Sequence, residues 1–135
     1  MNKWFGGAAA LSSALAAAHI LGGTPEFLSP VLQTGLAPDI RAVAAIVWHA
    51  VSLILIVNSV VLIGAAMNRP WGRAGVPIVA AQYLGFVGLF IFLGISFLGN
   101  ITDLPQWTAF AAISAMVGLG MRATPARSGG ESAAG

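Results

Sequence analysis

The strongest constraint on this chain is an apolar run over residues 41–67 that carries no charge after Arg41. Valine, isoleucine, leucine and alanine make up most of the run, and His49 and Asn58 are its strongly polar members. At about 1.5 Å rise per residue, a helix over this run is roughly 40 Å long, which exceeds the ~30 Å hydrocarbon core of a bilayer. The run therefore predicts a membrane-spanning helix.

Three further apolar runs cover residues 4–23, 76–99 and 107–121. The first is rich in Ala and Gly, and small residues favour a helix that packs closely against others in a bundle. The last is roughly 22 Å long as a helix, so it spans a bilayer only just. The sequence predicts an all-α membrane protein, an up-down bundle of four transmembrane helices within residues 1–122, followed by a disordered cytoplasmic tail over 123–135.

The composition agrees with a surface that faces lipid. Only 7% of the residues are charged, whereas a soluble domain carries about 25%. The formal net charge of +2 is too small and too dispersed to indicate nucleic-acid binding. The chain has no cysteine, which excludes disulfides, thiolate metal sites and cysteine nucleophiles.

The connection over residues 24–40 is the longest between two runs. Pro25, Pro30, Pro38 and Gly35 predict that the first helix does not continue through it. Apolar residues nevertheless recur at helical spacing within 25–34. We therefore expect a short amphipathic segment there, lying on the outer membrane surface.

The basic residues predict the orientation of the four spans. All but one of the six Lys and Arg residues fall on the side that holds both chain ends, at Lys3, Arg69, Arg73, Arg122 and Arg127. By the positive-inside rule this side is the cytoplasm, so the N- and C-termini are both inside. Arg41 is on the outer side, together with Glu26, Asp39 and Asp103.

His19 and His49 are the candidate site residues. In this topology both lie in the outer half of their spans, roughly 6 Å apart in depth. Imidazoles facing each other among small residues could hold a haem with two histidine ligands, or a transition metal to which Glu26 and Asp39 add oxygen ligands. The alternative is structural: each histidine is neutral and bonded to a backbone carbonyl, a serine or the other histidine.

Other polar residues within the spans favour structural roles. Asn58 is predicted to form an interhelical hydrogen bond, for which Gln82 is one possible partner. Trp48 lies beside His49 and could stack on a ring cofactor, or pack against lipid or a neighbouring helix. The spans contain no carboxylate pair for proton-coupled transport and no catalytic motif, so we expect no enzymatic activity.

The first run has a second interpretation as a signal peptide. Lys3 would form its basic start, the Ala-rich stretch its apolar core, and Ala16-Ala17-Ala18 its cleavage site. Cleavage after Ala18 would make His19 the new N-terminus, a position that suits copper. Gly6 and Gly7 count against this, because strongly apolar residues are expected there.

Residues 19–32, His-Ile-Leu-Gly-Gly-Thr-Pro-Glu-Phe-Leu-Ser-Pro-Val-Leu, are followed by Asp39-Ile40-Arg41 and then by Trp48-His49. In these residues the chain resembles a group of uncharacterised small four-span bacterial inner-membrane proteins. The resemblance covers roughly the first half of the chain. It implies four helices in a bacterial inner membrane, and it implies no particular activity.

Taken together, these features predict a small multi-pass protein of the inner membrane that acts as an accessory or interaction subunit of a larger membrane complex. Its expected partners are the lipid bilayer, other membrane proteins or further copies of itself. Two alternatives stay open: electron transfer or sensing through a haem or metal at His19 and His49, and transport by an oligomer. The lack of buried acids counts against transport.

Overall fold

The computed structural model describes residues 2–123 and contains four helices, with no strand in that range. The helices are α1 (Lys3–Leu32), α2 (Pro38–Ala66), α3 (Pro70–Leu98) and α4 (Gln106–Arg122). This confirms the all-α prediction. The predicted tail lies outside the described residues except for Ala123.

The four helices form a closed ring in which α1 packs on α2, α2 on α3, α3 on α4, and α4 on α1. Three of them, α1, α2 and α3, are long and apolar enough to cross a membrane, which indicates a membrane protein. With 17 residues, α4 is about 26 Å long, somewhat less than the hydrocarbon core.

The predicted end of the first helix near residue 23 is wrong, and so is the separate surface segment over 25–34. Instead, α1 continues through Pro25 to Leu32, and residues Ala18–Leu28 form a π-helical stretch within it. Proline has no N–H to donate and its ring collides with the carbonyl four residues earlier in an α-helix. The wider π-helical turn bonds residues five apart, and so it carries the chain past Pro25.

The start of α1 is fixed by Asn2. Its Oδ1 accepts hydrogen bonds from the backbone N–H groups of Trp4 at 3.0 Å and Phe5 at 3.4 Å, which is the usual N-cap arrangement. Its Nδ2 donates to Gly120 O at 3.1 Å, and its backbone N–H donates to Ala66 O at 3.2 Å. Asn2 thereby joins the start of α1 to the ends of α2 and α4.

Arg41 explains why one basic residue lies at the acidic end of the bundle. Its Nη1 donates to Leu32 O at 3.1 Å, at the end of α1. A cation is favourable at a helix C-terminus, where the unpaired carbonyls carry partial negative charge. Arg41 therefore has a local structural role.

The connection between α2 and α3 is a tight turn with the hydrogen bonds of a Schellman motif. Arg69 N–H donates to Gly64 O at 2.9 Å, and Asn68 N–H donates to Ala65 O at 3.0 Å. Asn68 takes the left-handed position, with φ of 59°. Because Pro70 occupies the first turn of α3, the helix begins there and not at the predicted residue 76.

Glycine allows α2 and α3 to touch directly beside this turn. A Cβ added to Gly72 would lie 2.3 Å from both Ala65 N and Gly64 C, which are backbone atoms that cannot move aside. The two helices can approach this closely only because residue 72 has no side chain.

We predict that Gly72→Ala separates α2 from α3 and destabilises the bundle by about 1–3 kcal/mol, the usual range for overpacking. Gly85→Ala is the matched control, since nothing lies within 4 Å of a Cβ added there. Thermal unfolding in detergent should show a lowered midpoint for Gly72→Ala alone. Equal midpoints for the two variants would contradict the close contact.

Candidate functional site

His19 lies at the start of the π-helical stretch of α1 and packs face to face on Trp48 of α2. Their ring centroids are 4.1 Å apart and the planes differ by 16°. The imidazole Nε2 lies 3.4 Å from Trp48 O, so Nε2–H donates a long hydrogen bond to that carbonyl. His19 therefore has the kind of backbone partner that the structural alternative predicts for it.

The Trp48 indole is held on several sides by residues of the π-helical stretch. Its Nε1 donates to Thr24 Oγ1 at 3.1 Å, and the Phe27 ring lies 6.4 Å away between centroids. A Cβ added to Gly23 would come within 2.9 Å of the indole, so the ring lies directly over this glycine. Trp48 thus packs against α1 and the indole N–H has a partner within the bundle.

His49 differs from His19 in its surroundings. It is an exposed residue on the outer face of α2, and its imidazole forms no hydrogen bond with residues 2–123. It directly follows Trp48, whose ring stacks on the His19 ring. The role of the two imidazoles as ligands of a haem or metal stays a prediction.

No cluster of potential metal ligands is found in the part of the chain that the structure describes. Among residues 2–123, no group of three or more His, Cys, Asp or Glu side chains is placed to hold a metal ion. The contribution of Glu26 and Asp39 to a site at His19 and His49 stays a prediction.

A second polar site lies in the middle of the bundle, where three helices meet. Ser12 Oγ of α1 is 2.8 Å from Ser59 Oγ of α2 and 2.5 Å from the Tyr83 hydroxyl of α3. Ser12 and Tyr83 have no exposed surface, and Ser59 is 6% exposed. We call Ser12, Ser59 and Tyr83 the hydroxyl cluster.

The backbone fixes the direction of the hydrogen bonds in the hydroxyl cluster. Ser59 donates its hydroxyl hydrogen to Leu55 O at 2.8 Å, so its oxygen must accept from Ser12. Ser12 has then used its own hydrogen and accepts from the Tyr83 hydroxyl. The Tyr83 oxygen is left as an acceptor for a further donor.

Asn58 is the side chain nearest to supplying that donor. It is 3% exposed, and its amide interacts with the Tyr83 hydroxyl, although Asn58 Nδ2 does not reach hydrogen-bond geometry with any group. Asn58 therefore extends the hydroxyl cluster on the α2 side. The possible Asn58–Gln82 pair is not seen, because within residues 2–123 Asn58 Nδ2 and Gln82 Oε1 are both buried and make no hydrogen bond.

Aromatic residues cover the hydroxyl cluster on the side of α4. The Tyr83 ring stacks on the Phe110 ring with 5.7 Å between centroids. The rings of Phe86 and Phe90 also pack on Phe110, with centroid distances of 5.1 Å and 5.6 Å. These rings exclude water from the hydroxyls. The surroundings of the hydroxyls are therefore apolar. In such surroundings a hydrogen bond is stronger than in water, and an unpaired polar group is costly.

The hydroxyl cluster was not predicted from the sequence. The sequence feature that could have revealed it is depth in the membrane, because Ser12, Ser59 and Tyr83 fall at comparable levels of three antiparallel helices. By sequence spacing alone, Ser12 falls on the same face of α1 as His19, seven residues away. In the structure its partners are two hydroxyl groups, so no general base is in contact with it to make it a nucleophile.

Comparison with protein-family models, with curated proteins and with solved structures finds no match. The function is therefore argued from the geometry and composition of the bundle.

We predict that Ser12→Ala lowers the free energy of unfolding by about 1 kcal/mol, because hydrogen bonds between helices in membranes contribute roughly 0.6–1.7 kcal/mol each. Ser13→Ala is the matched control, since Ser13 is exposed on the outer face of α1. Equilibrium unfolding in mixed micelles measures both. A Ser13→Ala effect as large as that of Ser12→Ala would show that the hydroxyl cluster does not link the helices.

Proposed function

We propose that this protein is a four-span subunit of a bacterial inner membrane, with both termini in the cytoplasm, that acts by packing against another membrane protein. The observation that supports a packing role is a difference between the outer surfaces of the three long helices. Two of them, α2 and α3, expose side chains that suit lipid, and α1 does not.

The outer faces of α2 and α3 consist largely of big apolar side chains. Those exposed by 45% or more on α2 include Val43, Ile46, Leu53, Val57 and Val60, and on α3 they include Ile78, Leu84, Leu89, Phe92 and Ile95. Such side chains match the acyl chains of lipid in polarity and size. These two faces are the lipid-facing side of the bundle.

The outer face of α1 is built from small residues. Ala10, Ser13, Ala14, Ala17 and Ala18 are exposed on it, and no large apolar side chain of α1 is exposed before Leu21. We call these five residues the small-residue surface. Of the three long helices, α1 is also the least apolar over its best membrane-spanning window.

Small residues and serine on a membrane helix favour contact with another helix, because they let two backbones approach and add weak interhelical hydrogen bonds. The inner face of α1 already packs on α2 and α4. The small-residue surface therefore suits a transmembrane helix of a partner protein. This surface supports the proposed role as an accessory subunit of a larger complex.

The topology in this proposal is supported by the distribution of charge. Lys3, Arg69, Arg73 and Arg122 are at one end of the bundle, where the described residues include no Asp or Glu. Glu26, Asp39 and Asp103 are at the other end. Basic residues collect on the cytoplasmic side, so this end is assigned to the cytoplasm. The bacterial membrane follows from the resemblance carried by residues 19–49.

We predict that Ala14→Leu weakens association with the partner at least about fivefold, because the larger, branched leucine side chain would separate the backbones. The assay is migration of the protein in native gels after extraction with a mild detergent, with the wild type running as a complex. Ala50→Leu is the matched control, since Ala50 is exposed among the lipid-facing side chains of α2.

Release of the complex by Ala14→Leu and its retention by Ala50→Leu would support the proposed surface. A wild type that migrates as a single chain in every mild detergent, or a complex that both variants retain, would refute it.

A further inference from the structure

We propose that the turn between α2 and α3 binds the phosphate of an anionic glycerophospholipid, with Arg69 and Arg73 as its ligands. This inference depends on the proposed insertion in the membrane, but it is independent of the small-residue surface. It rests on three features of the turn: its rigid backbone, two arginines without an ion-pair partner among residues 2–123, and an interfacial tryptophan.

The backbone of the turn is rigid. The Schellman motif uses the Gly64 and Ala65 carbonyls, and the contact of Gly72 with the backbone of α2 holds the start of α3 in place. Arg73 N–H donates to Arg69 O at 3.1 Å, so the two arginines are one helical turn apart. Their relative position is therefore set before any ligand binds.

Asn68 directs one of the two side chains. Its Oδ1 accepts a hydrogen bond from Arg73 Nη2 at 2.7 Å, which holds the Arg73 guanidinium beside Asn68 at the turn. A guanidinium has five N–H donors, and this bond uses one of them. The remaining donors of Arg73 and those of Arg69 are available to a phosphate, which guanidinium groups bind with paired hydrogen bonds.

The two charges have no counter-ion in the described part of the chain. Arg69 and Arg73 are both exposed, and neither forms an ion pair with residues 2–123. Like charges one turn apart repel each other. Lys3 and Arg122 add positive charge at the same end of the bundle. An anion that contacts both arginines would remove the repulsion.

Trp71 places the turn at the level of the lipid headgroups. Its ring lies over Gly64, where an added Cβ would come within 2.4 Å of the indole, and 55% of the residue is exposed. Tryptophan is enriched at the boundary between hydrocarbon and water. The phosphate of a phospholipid lies at this depth, and the excess of positive charge favours a lipid with a net negative charge over a zwitterionic one.

The test uses the full chain in detergent, titrated with phosphatidylglycerol or phosphatidylcholine, with bound lipid counted by native mass spectrometry. Each basic residue near a membrane surface contributes about a fivefold change in affinity for anionic lipid. We therefore expect the double variant Arg69→Gln/Arg73→Gln to lose roughly 25-fold in phosphatidylglycerol affinity, and phosphatidylcholine binding to change little.

Arg41→Gln is the matched control, because it removes the same charge at the opposite end of the bundle, and it should leave phosphatidylglycerol binding unchanged. If the helicity of the double variant is reduced, the single variants Arg69→Gln and Arg73→Gln replace it. Each is expected to lose about fivefold in affinity for phosphatidylglycerol. Equal affinities of the wild type and the arginine variants, or an equal loss in Arg41→Gln, would overturn the proposal.

A third arm separates a lipid from a free anion. Inorganic phosphate at millimolar concentration should not displace phosphatidylglycerol from the wild type, because the acyl chains pack beside Trp71 and α3. Displacement at that concentration would show that the turn binds soluble phosphate and would overturn the assignment to a lipid. Failure of the Ala14→Leu experiment would leave this result unaffected.

Discussion

The hydroxyl cluster of Ser12, Ser59 and Tyr83 is the interaction on which the arrangement of the helices depends. Hydrocarbon offers no water to a buried hydroxyl group, so each must find a partner inside the protein. The three oxygens meet at 2.5 and 2.8 Å because α1, α2 and α3 turn the faces that carry them toward one another. In this orientation of α1, His19, seven residues beyond Ser12, faces Trp48, and the small-residue surface faces outward.

Close packing of small residues then completes the ring. Gly72 allows α2 and α3 to touch beside their turn, and Gly120 leaves space for Phe5 where α4 meets α1, since an added Cβ would lie 2.6 Å from that ring. Asn2 ties the ends of α1, α2 and α4. The result is a bundle with large apolar side chains on the outer faces of α2 and α3, small residues on the outer face of α1, and opposite charges at its two ends.

The sequence predicted the number and class of the helices because long apolar runs leave few other structures in a bilayer. The predicted end of the first helix before Pro25 was wrong. A proline normally ends an α-helix, but here a π-helical stretch continues the helix past Pro25. Asn58 and Gln82, a possible pair by sequence, do not bond to each other, because depth alone does not tell which side chains face each other. The hydroxyl cluster depends on the relative rotation of three helices, which emerges from packing and is not encoded in any single run.

In the proposed topology all four helices cross the membrane with the basic end inside. Since the chain has no cysteine, single substitutions Gly35→Cys, Arg69→Cys, Ile101→Cys and Ala123→Cys can report which side of the membrane each connection is on. A membrane-impermeant maleimide should label positions 35 and 101 in intact spheroplasts, and positions 69 and 123 only after permeabilisation. Labelling of position 123 from the same side as position 101 would show that α4 does not cross and would contradict the account.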